Sequence, residues 1–296
     1  SLKKQIHVMG NSNAKSQDPK PSKPTLSDSK PTNFAPISQV EATKTLEDLI
    51  KEKLEELNPS IDEPSEKTQD PKARFKKFVL NDHNIGDAGL EILLQFEIPN
   101  LELLELHKHS ITPAGVNLLI EESNWPRLKS LDLAFNNINA EGARALSESS
   151  PWLNLTTLTL CENNLNASAG IGLGKNSSWT NLILLNLNSN SIGIDGVAGL
   201  SQNSSWINLE KLHLVRNNIG DQGAIELAKN KSWTKLKTLD LSCNAISAEG
   251  IKGLCKNESW VNLETLSISM NKLGDKGVAA LSERSLWKSL TELNLS

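Results

Sequence analysis

Three thiols and five imidazoles are the side chains of this 296-residue chain best suited to nucleophilic, soft-metal or neutral-pH proton chemistry. The thiols are Cys161, Cys243 and Cys255. Cys161 and Cys243 fall three sequence periods apart, so they do not readily pair. Cys161 beside a histidine or aspartate is the one nucleophile candidate, but the sequence register places no base next to it. His107 and His109 are close together, yet no carboxylate or cysteine completes a ligand set around them. The chain also lacks a Gly-rich phosphate loop, an H-E-x-x-H and a C-x-x-C. These residues predict no catalytic site, no metal site and no cofactor, hence no enzyme. An odd, sparse set of cysteines is not a disulfide framework and points to a reducing, cytoplasmic setting.

The bulk chemistry narrows the partners. Hydrophobic residues make up 38% and charged residues 22%, which fits a soluble protein with a real core. A formal charge of −4 gives no basic field to hold nucleic acid. No run of 18 apolar residues exists to insert in a membrane. Ser1-Leu2-Lys3-Lys4 has no apolar signal-peptide core behind it.

Along the chain, residues 1–37 are rich in Ser, Pro, Lys and Asn and read as a disordered leader, because they cannot bury enough apolar surface to offset ordering entropy. Residues 39–57 predict a helix. Ser38 and Glu41 form a capping box, and Leu46, Leu49, Ile50, Leu54 and Leu57 share a face. Asn58-Pro59 ends it, and a polar connection runs to residue 74. Residues 38–74 are expected to cap the first repeat, since solenoid ends need covering.

From residue 75 the sequence repeats. Units start at Phe75, Leu101, Leu128, Leu155, Leu182, Leu209, Leu236, Leu263 and Leu290, with a first step of 26 residues and later steps of 27. Each begins L-x-x-L-x-L-x-x-N-x-I/L, as in Leu209-Leu212-Leu214-Asn217-Ile219. A short apolar pattern such as Gly277-Val278-Ala279-Ala280-Leu281 follows, so each unit reads as strand, turn and helix. All seven tryptophans, Trp125, Trp152, Trp179, Trp206, Trp233, Trp260 and Trp287, lie three residues before a unit start. A residue copied into every unit is stacking material rather than a ligand contact. An N-x-S-W phrase such as Asn176-Ser177-Ser178-Trp179 precedes several units, and its Asn and Ser predict helix caps and turns.

This pattern resembles the ribonuclease-inhibitor-like subfamily of leucine-rich repeats over residues 75–296. The resemblance implies an α/β horseshoe solenoid with a parallel β-sheet on the concave face and helices on the convex face. It implies an asparagine ladder, Asn136, Asn163, Asn190, Asn217, Asn244 and Asn271, that satisfies inward-turning backbone groups, with His83 and His109 in its first two rungs. It also implies a protein-interaction scaffold that grips a globular partner on the concave face. Uniform repeats and few cysteines depart from ribonuclease inhibitors themselves. The repeats are similar to those of proteins that bacteria living inside eukaryotic cells deliver as effectors, which implies action in the host cytosol. Regulation of an enzyme, as a Ran-type GTPase activator or a ubiquitin-ligase substrate receptor, is the alternative.

Partner information must lie where the units differ. The third, fifth, seventh and eighth positions of each unit are expected to face the concave side. Among them Leu103, Phe135, Leu184, Val215 and Met270 are the apolar anchor candidates, and Glu105, Asp132, His213, Arg216 and Asp240 the charged selectors. The sequence stops at Asn294-Leu295-Ser296, inside the ninth unit's strand, which predicts a continuation beyond it.

Overall fold

Leucines at the fourth and sixth positions of a unit point to one side of an extended segment, so burying them draws the chain into a strand. In the computed structural model, which describes residues 47, 48, 50–53, 76–80, 83–283 and 287–296, each unit contributes one three-residue strand. These are β1 (Lys77–Val79), β2 (Leu103–Glu105), β3 (Ser130–Asp132), β4 (Thr157–Thr159), β5 (Leu184–Asn186), β6 (Lys211–His213), β7 (Thr238–Asp240), β8 (Thr265–Ser267) and β9 (Glu292–Asn294). They pair in parallel in chain order, and the register sets each central residue beside its equivalent, as in Leu131↔Leu158 and Leu158↔Leu185.

The helices between them are α1 (Gly86–Leu94), α2 (Pro113–Glu122), α3 (Asn139–Ser149), α4 (Ala167–Gly174), α5 (Gly193–Ser201), α6 (Gly220–Leu227), α7 (Ala248–Leu254) and α8 (Gly274–Ser282). Two devices start seven of them, and at α3 Asn139 itself takes the left-handed conformation at φ +48°. At α2, α4 and α7 the side chains of Thr112, Asn166 and Ser247 accept a first-turn N–H. At α1, α5, α6 and α8 a glycine in the left-handed region, φ +54° to +66°, turns the chain into the helix, a conformation a Cβ would strain. The buried leucines, isoleucines and tryptophans of all units form one continuous core.

Three asparagine rails tie unit to unit. The first is the expected ladder. Asn136 accepts the N–H groups of His109 and Ile111, both at 3.0 Å, and donates to the carbonyls of Leu106 and Leu133, both at 2.9 Å. Asn190, Asn217 and Asn244 repeat this geometry. His109 imitates a rung. It is fully buried, its Nδ1 accepts the Ile85 N–H at 3.3 Å, and its Nε2 meets the Leu80 carbonyl. His83 does not: it is exposed, so the first unit lacks this buried rung.

The second rail corrects the expectation that the asparagine of the N-x-S-W phrase is a local cap. Asn203 does accept from Ser205 and Trp206, at 3.0 and 2.9 Å. Its amide nitrogen, however, donates back into the preceding unit, to the carbonyls of Gly174 and Asn176 at 3.1 and 2.7 Å. Asn176, Asn230 and Asn257 are held likewise and are equally buried. The third rail is exposed: Asn154, Asn181, Asn208 and Asn262 each donate to a carbonyl 28 residues earlier.

Four tryptophans, Trp179, Trp206, Trp233 and Trp260, are pinned between the second rail and the next strand. The Trp206 N–H donates to Asn203, and its carbonyl accepts the N–H of Leu209, the first residue of the following unit, at 3.1 Å. The rings are buried in every unit, and Trp206 and Trp233 stack with centroids 6.2 Å apart. Trp152 donates its indole N–H to Ser123.

The leader, residues 1–37, lies outside the described residues, as do most of the expected helix at 39–57 and its capping box. Within that helix, residues 50–53 are helical, and Ile50 is fully buried in the same core as the repeats.

Helices α4 and α5 approach on bare glycine. A Cβ on Gly170 would meet the Cα and carbonyl oxygen of Gly196 at 2.7 Å, which is backbone that cannot swing aside. Gly170→Ala is therefore expected to lower stability in urea by about 1–3 kcal/mol, the usual range for overpacking. Trp206→Ala should cost about 3–5 kcal/mol by emptying a buried indole site. An unchanged urea midpoint for Trp206→Ala would contradict its structural role.

Candidate functional site

The strands span only the third to fifth positions of a unit, so the expected site residues divide between two settings. Leu103, Glu105, Asp132, Leu184, His213 and Asp240 stand on strands and are half-buried. Val215, at a seventh position, and Phe135, Arg216 and Met270, at eighth positions, lie beyond the strand ends. They occupy the turns and not the sheet, because the chain there leaves the β conformation. The whole eighth row, from Lys108 through Phe135, Glu162, Ser189, Arg216 and Cys243 to Met270, has φ between +52° and +61°.

That row carries the most exposed of the anchor candidates. Phe135 is 49% exposed and Met270 74%, against a half-buried Leu103, Leu184 and Val215. Backbone hydrogen bonds continue through it, for instance Phe135 N–H to the Cys161 carbonyl at 2.8 Å, so the row is fixed in place. Two contacts along it were invisible as sequence. The Lys108 ammonium lies 5.9 Å from the Phe135 ring centroid, and the Cys243 sulfur lies 3.4 Å from that of Met270. Only the equal spacing of these residues hinted at them.

Strand register decides which strand residues meet. Glu105 faces Asp132 across β2 and β3, and His213 faces Asp240 across β6 and β7. Phe135 follows Asp132 in the same unit, whereas Met270 is five units further, roughly 24 Å along the stack at the usual strand spacing. The predicted residues thus form two groups, Leu103, Glu105, Asp132 and Phe135 in units two and three, and His213, Val215, Arg216 and Asp240 in units six and seven. Leu184 sits between the groups and Met270 beyond the second.

Burial sets the protonation of the face. It holds the Asp132 carboxyl above the usual carboxylate range, with Glu105 adding to the rise and the Ala134 N–H and His107 opposing it. It depresses His213, which Asp240 partly counters. It pushes the Cys161 thiol up to about 11, helped by the neighbouring charges of Asp132 and Glu162. Cys161 is therefore a protonated thiol at neutral pH, the reverse of what an activated nucleophile requires. Among the described residues no group of three or more His, Cys, Asp or Glu side chains could hold a metal ion. No described helix is long and apolar enough to cross a membrane.

The face and its repeats define a leucine-rich-repeat solenoid. A family model described as Leucine Rich repeat matches residues 127–147, 207–228, 234–255 and 261–282. No curated protein matches the chain. Solved structures similar to it include a plant peptide hormone receptor, RGFR1 in complex with RGF2, at 20% identity and a TM-score of 0.42 over 74% of this chain. Another is InlP of Listeria monocytogenes, at 15% identity and a TM-score of 0.41 over 89% of this chain. The chain spans 30% and 61% of the length of those two proteins.

The thiol environment can be checked directly. In a Cys243→Ser, Cys255→Ser background, Cys161 is expected to alkylate slowly at pH 8, where only roughly one thiol in a thousand would be ionised. Its rate should climb steeply toward pH 11. Asp132→Asn should speed the reaction at pH 8 by removing a negative neighbour. A rate at pH 8 equal to that of an ordinary surface thiol would contradict this picture.

Proposed function

We propose that the chain is a protein-interaction scaffold that grips a globular partner with its strand face and the row of left-handed turns beside it. The observation that carries this reading is Phe135. A bulky side chain at positive φ is disfavoured by about 1–2 kcal/mol, and such strain collects where function needs a side chain in place. Phe135 keeps half its surface in water at that cost. An exposed aromatic in a fixed backbone, surrounded by polar residues, is the usual make-up of an interface anchor.

In this reading Phe135 and Met270 are anchors near the two ends of the face, with Leu103, Leu184 and Val215 as lesser apolar contacts. Glu105, Asp132, His213, Arg216 and Asp240 select the partner by charge. Residues 38–74 cover the first repeat, a role supported by the full burial of Ile50 in the repeat core. The repeats are of the ribonuclease-inhibitor-like kind, and the protein works as a bacterial effector on a host protein in the cytosol. Support for that last step is the repeat pattern alone.

Affinity capture from a eukaryotic lysate, followed by mass spectrometry, tests the scaffold reading. Phe135→Glu alters an exposed side chain and should shift stability by no more than about 0.5 kcal/mol, whereas Asp240→Lys also gives up the bonds that Asp240 accepts from the Ser242 N–H and hydroxyl and should cost about 1–3 kcal/mol, so its thermal midpoint is read beside the capture. Each is expected to release a protein that the wild type retains. If both variants capture the same proteins as the wild type in the same amounts, binding does not use this face.

A further inference from the structure

The tryptophan ladder breaks at its first rung. Ile98 stands 27 residues before Trp125, in the place that every later unit gives to an indole, and it is much the smaller side chain. Beside these two residues, where α1 and α2 return toward their next strands, lies a cavity of about 270 Å³. Leu94, Phe96, Ile98 and Trp125 give it an apolar lining, and the exposed Glu97 and Glu122 stand at its mouth. None of its lining residues belongs to a strand or to the left-handed row. The polar end of Trp125 is exceptional too. One unit on, the Trp152 indole N–H donates to the Ser123 hydroxyl at 3.3 Å. The residue 27 before Ser123 is Phe96, which offers a ring and no oxygen. Trp125 is 3% exposed, and its indole N–H has no hydrogen-bond partner among the described residues. Since Phe96 lines the cavity, the repeat geometry directs this buried N–H into it. Negative charge gathers at the mouth. Both α1 and α2 end there with no basic residue in the last turn, so their C-terminal dipoles add to the carboxylates. No Lys or Arg is among the described lining residues, and Glu122 makes no ion pair with any described residue.

We propose that this cavity binds an arylalkylamine, a flat aromatic ring joined by a short chain to a protonated amine. The ring enters the space of the missing rung beside Ile98 and Trp125. The ammonium stays at the mouth with Glu97, Glu122 and the two helix ends. Three features select this class. A gap in a ladder whose later members stack, as Trp206 and Trp233 do with centroids 6.2 Å apart, suits a flat ring. The unpaired Trp125 N–H gains a partner in the face of an aromatic ring, which an aliphatic group does not offer. The negative mouth attracts a cation and repels a carboxylate. The volume falls just below the roughly 300–1,000 Å³ of pockets for drug-sized ligands, so the occupant is a small molecule of one ring system. A phenylalanine or tryptophan side chain of a partner protein carries the ring without an ammonium of its own, and so meets only half of the site.

The test titrates the full chain with tryptamine, indole, indoleacetate and cyclohexylethylamine by calorimetry, with the protein's indole N–H signals followed by NMR. Tryptamine is expected to bind saturably and to move the Trp125 indole N–H signal more than those of the other tryptophans. Indole, which keeps the ring and loses the charge, should bind about tenfold more weakly, the combined effect of exposed ion pairs and helix ends. Indoleacetate and the aliphatic amine should each bind at least about tenfold more weakly than tryptamine. Ile98→Trp supplies the missing rung from within the chain. It should abolish tryptamine binding while its thermal midpoint stays at or above wild type. Glu122→Gln, at an exposed site, should leave indole binding unchanged and weaken tryptamine about threefold. If Ile98→Trp lowers the midpoint, the Glu122→Gln result decides alone. No saturable binding of tryptamine, shifts centred on other tryptophans, or equal binding of tryptamine and either indoleacetate or the aliphatic amine would overturn the proposal. So would a tryptamine affinity that is unchanged in Glu122→Gln or in a stably folded Ile98→Trp.

Discussion

The structure depends on the side-chain amide of asparagine, because a repeat that turns sharply leaves backbone groups pointing inward with no strand to pair them. A buried N–H or carbonyl without a partner costs about 1–3 kcal/mol, and each unit would leave several. One asparagine supplies an acceptor for two N–H groups and donors for two carbonyls, in a shape rigid enough to serve neighbouring units together. Asn136 does this between the second and third units, and the same geometry recurs from Asn190 to Asn244. Where the amide is replaced, at His109, the imidazole still offers one acceptor and one donor, and the rung survives. Leucine burial supplies the gross driving force, but it is non-directional. The amide rails are what fix the distance and register between units.

Much of this was legible because repetition multiplies weak signals. Leucine, asparagine and tryptophan at a 27-residue period mark out strand, turn and return, and the parallel register agrees residue for residue. Two things were not legible. Asn203 reads locally as a cap, because its link to Gly174 and Asn176 is a contact between units that no neighbouring residue announces. The eighth position reads as strand, because the sign of φ has no side-chain signature when glycine is absent. Lys108, Phe135, Glu162 and Met270 share a backbone conformation and nothing else. The site candidates could be narrowed to a face by sequence, but not divided into half-buried strand residues and exposed turn residues.

The rails also constrain chemistry that the sequence seems to invite. Asn176, Asn203, Asn230 and Asn257 each begin an N-x-S sequon, the acceptor pattern for N-linked glycans. All four are buried, with both the oxygen and the nitrogen of the amide engaged. Attaching a sugar to the nitrogen would break the link to the preceding unit and force a bulky group into the core. In the folded chain these sequons are by-products of turn chemistry. The exposed Asn154, which also opens a sequon, differs because its single donated bond lies at the surface.

The left-handed row sets the deeper question, because the fold imposes the conformation while the sequence chooses the residue. Seven consecutive units place a non-glycine residue at positive φ in the eighth position. At about 1–2 kcal/mol each, the total is of the order of a whole domain's net stability. Glycine is the low-strain answer at the start of four helices in this same chain, so its absence from the eighth row is informative. Something must offset the strain, and contacts between neighbouring members of the row do so only in places. Lys108 meets Phe135, and Cys243 meets Met270. Ser189 has no side-chain hydrogen bond among the described residues. The tenth position shows the same habit, with Ser110, Asn164, Ser191, Asn218 and Ala245 also at positive φ, so non-glycine residues in this conformation belong to the turn as a whole and not to the eighth row alone. Within that turn, the eighth row is where strain, exposure and sequence diversity coincide.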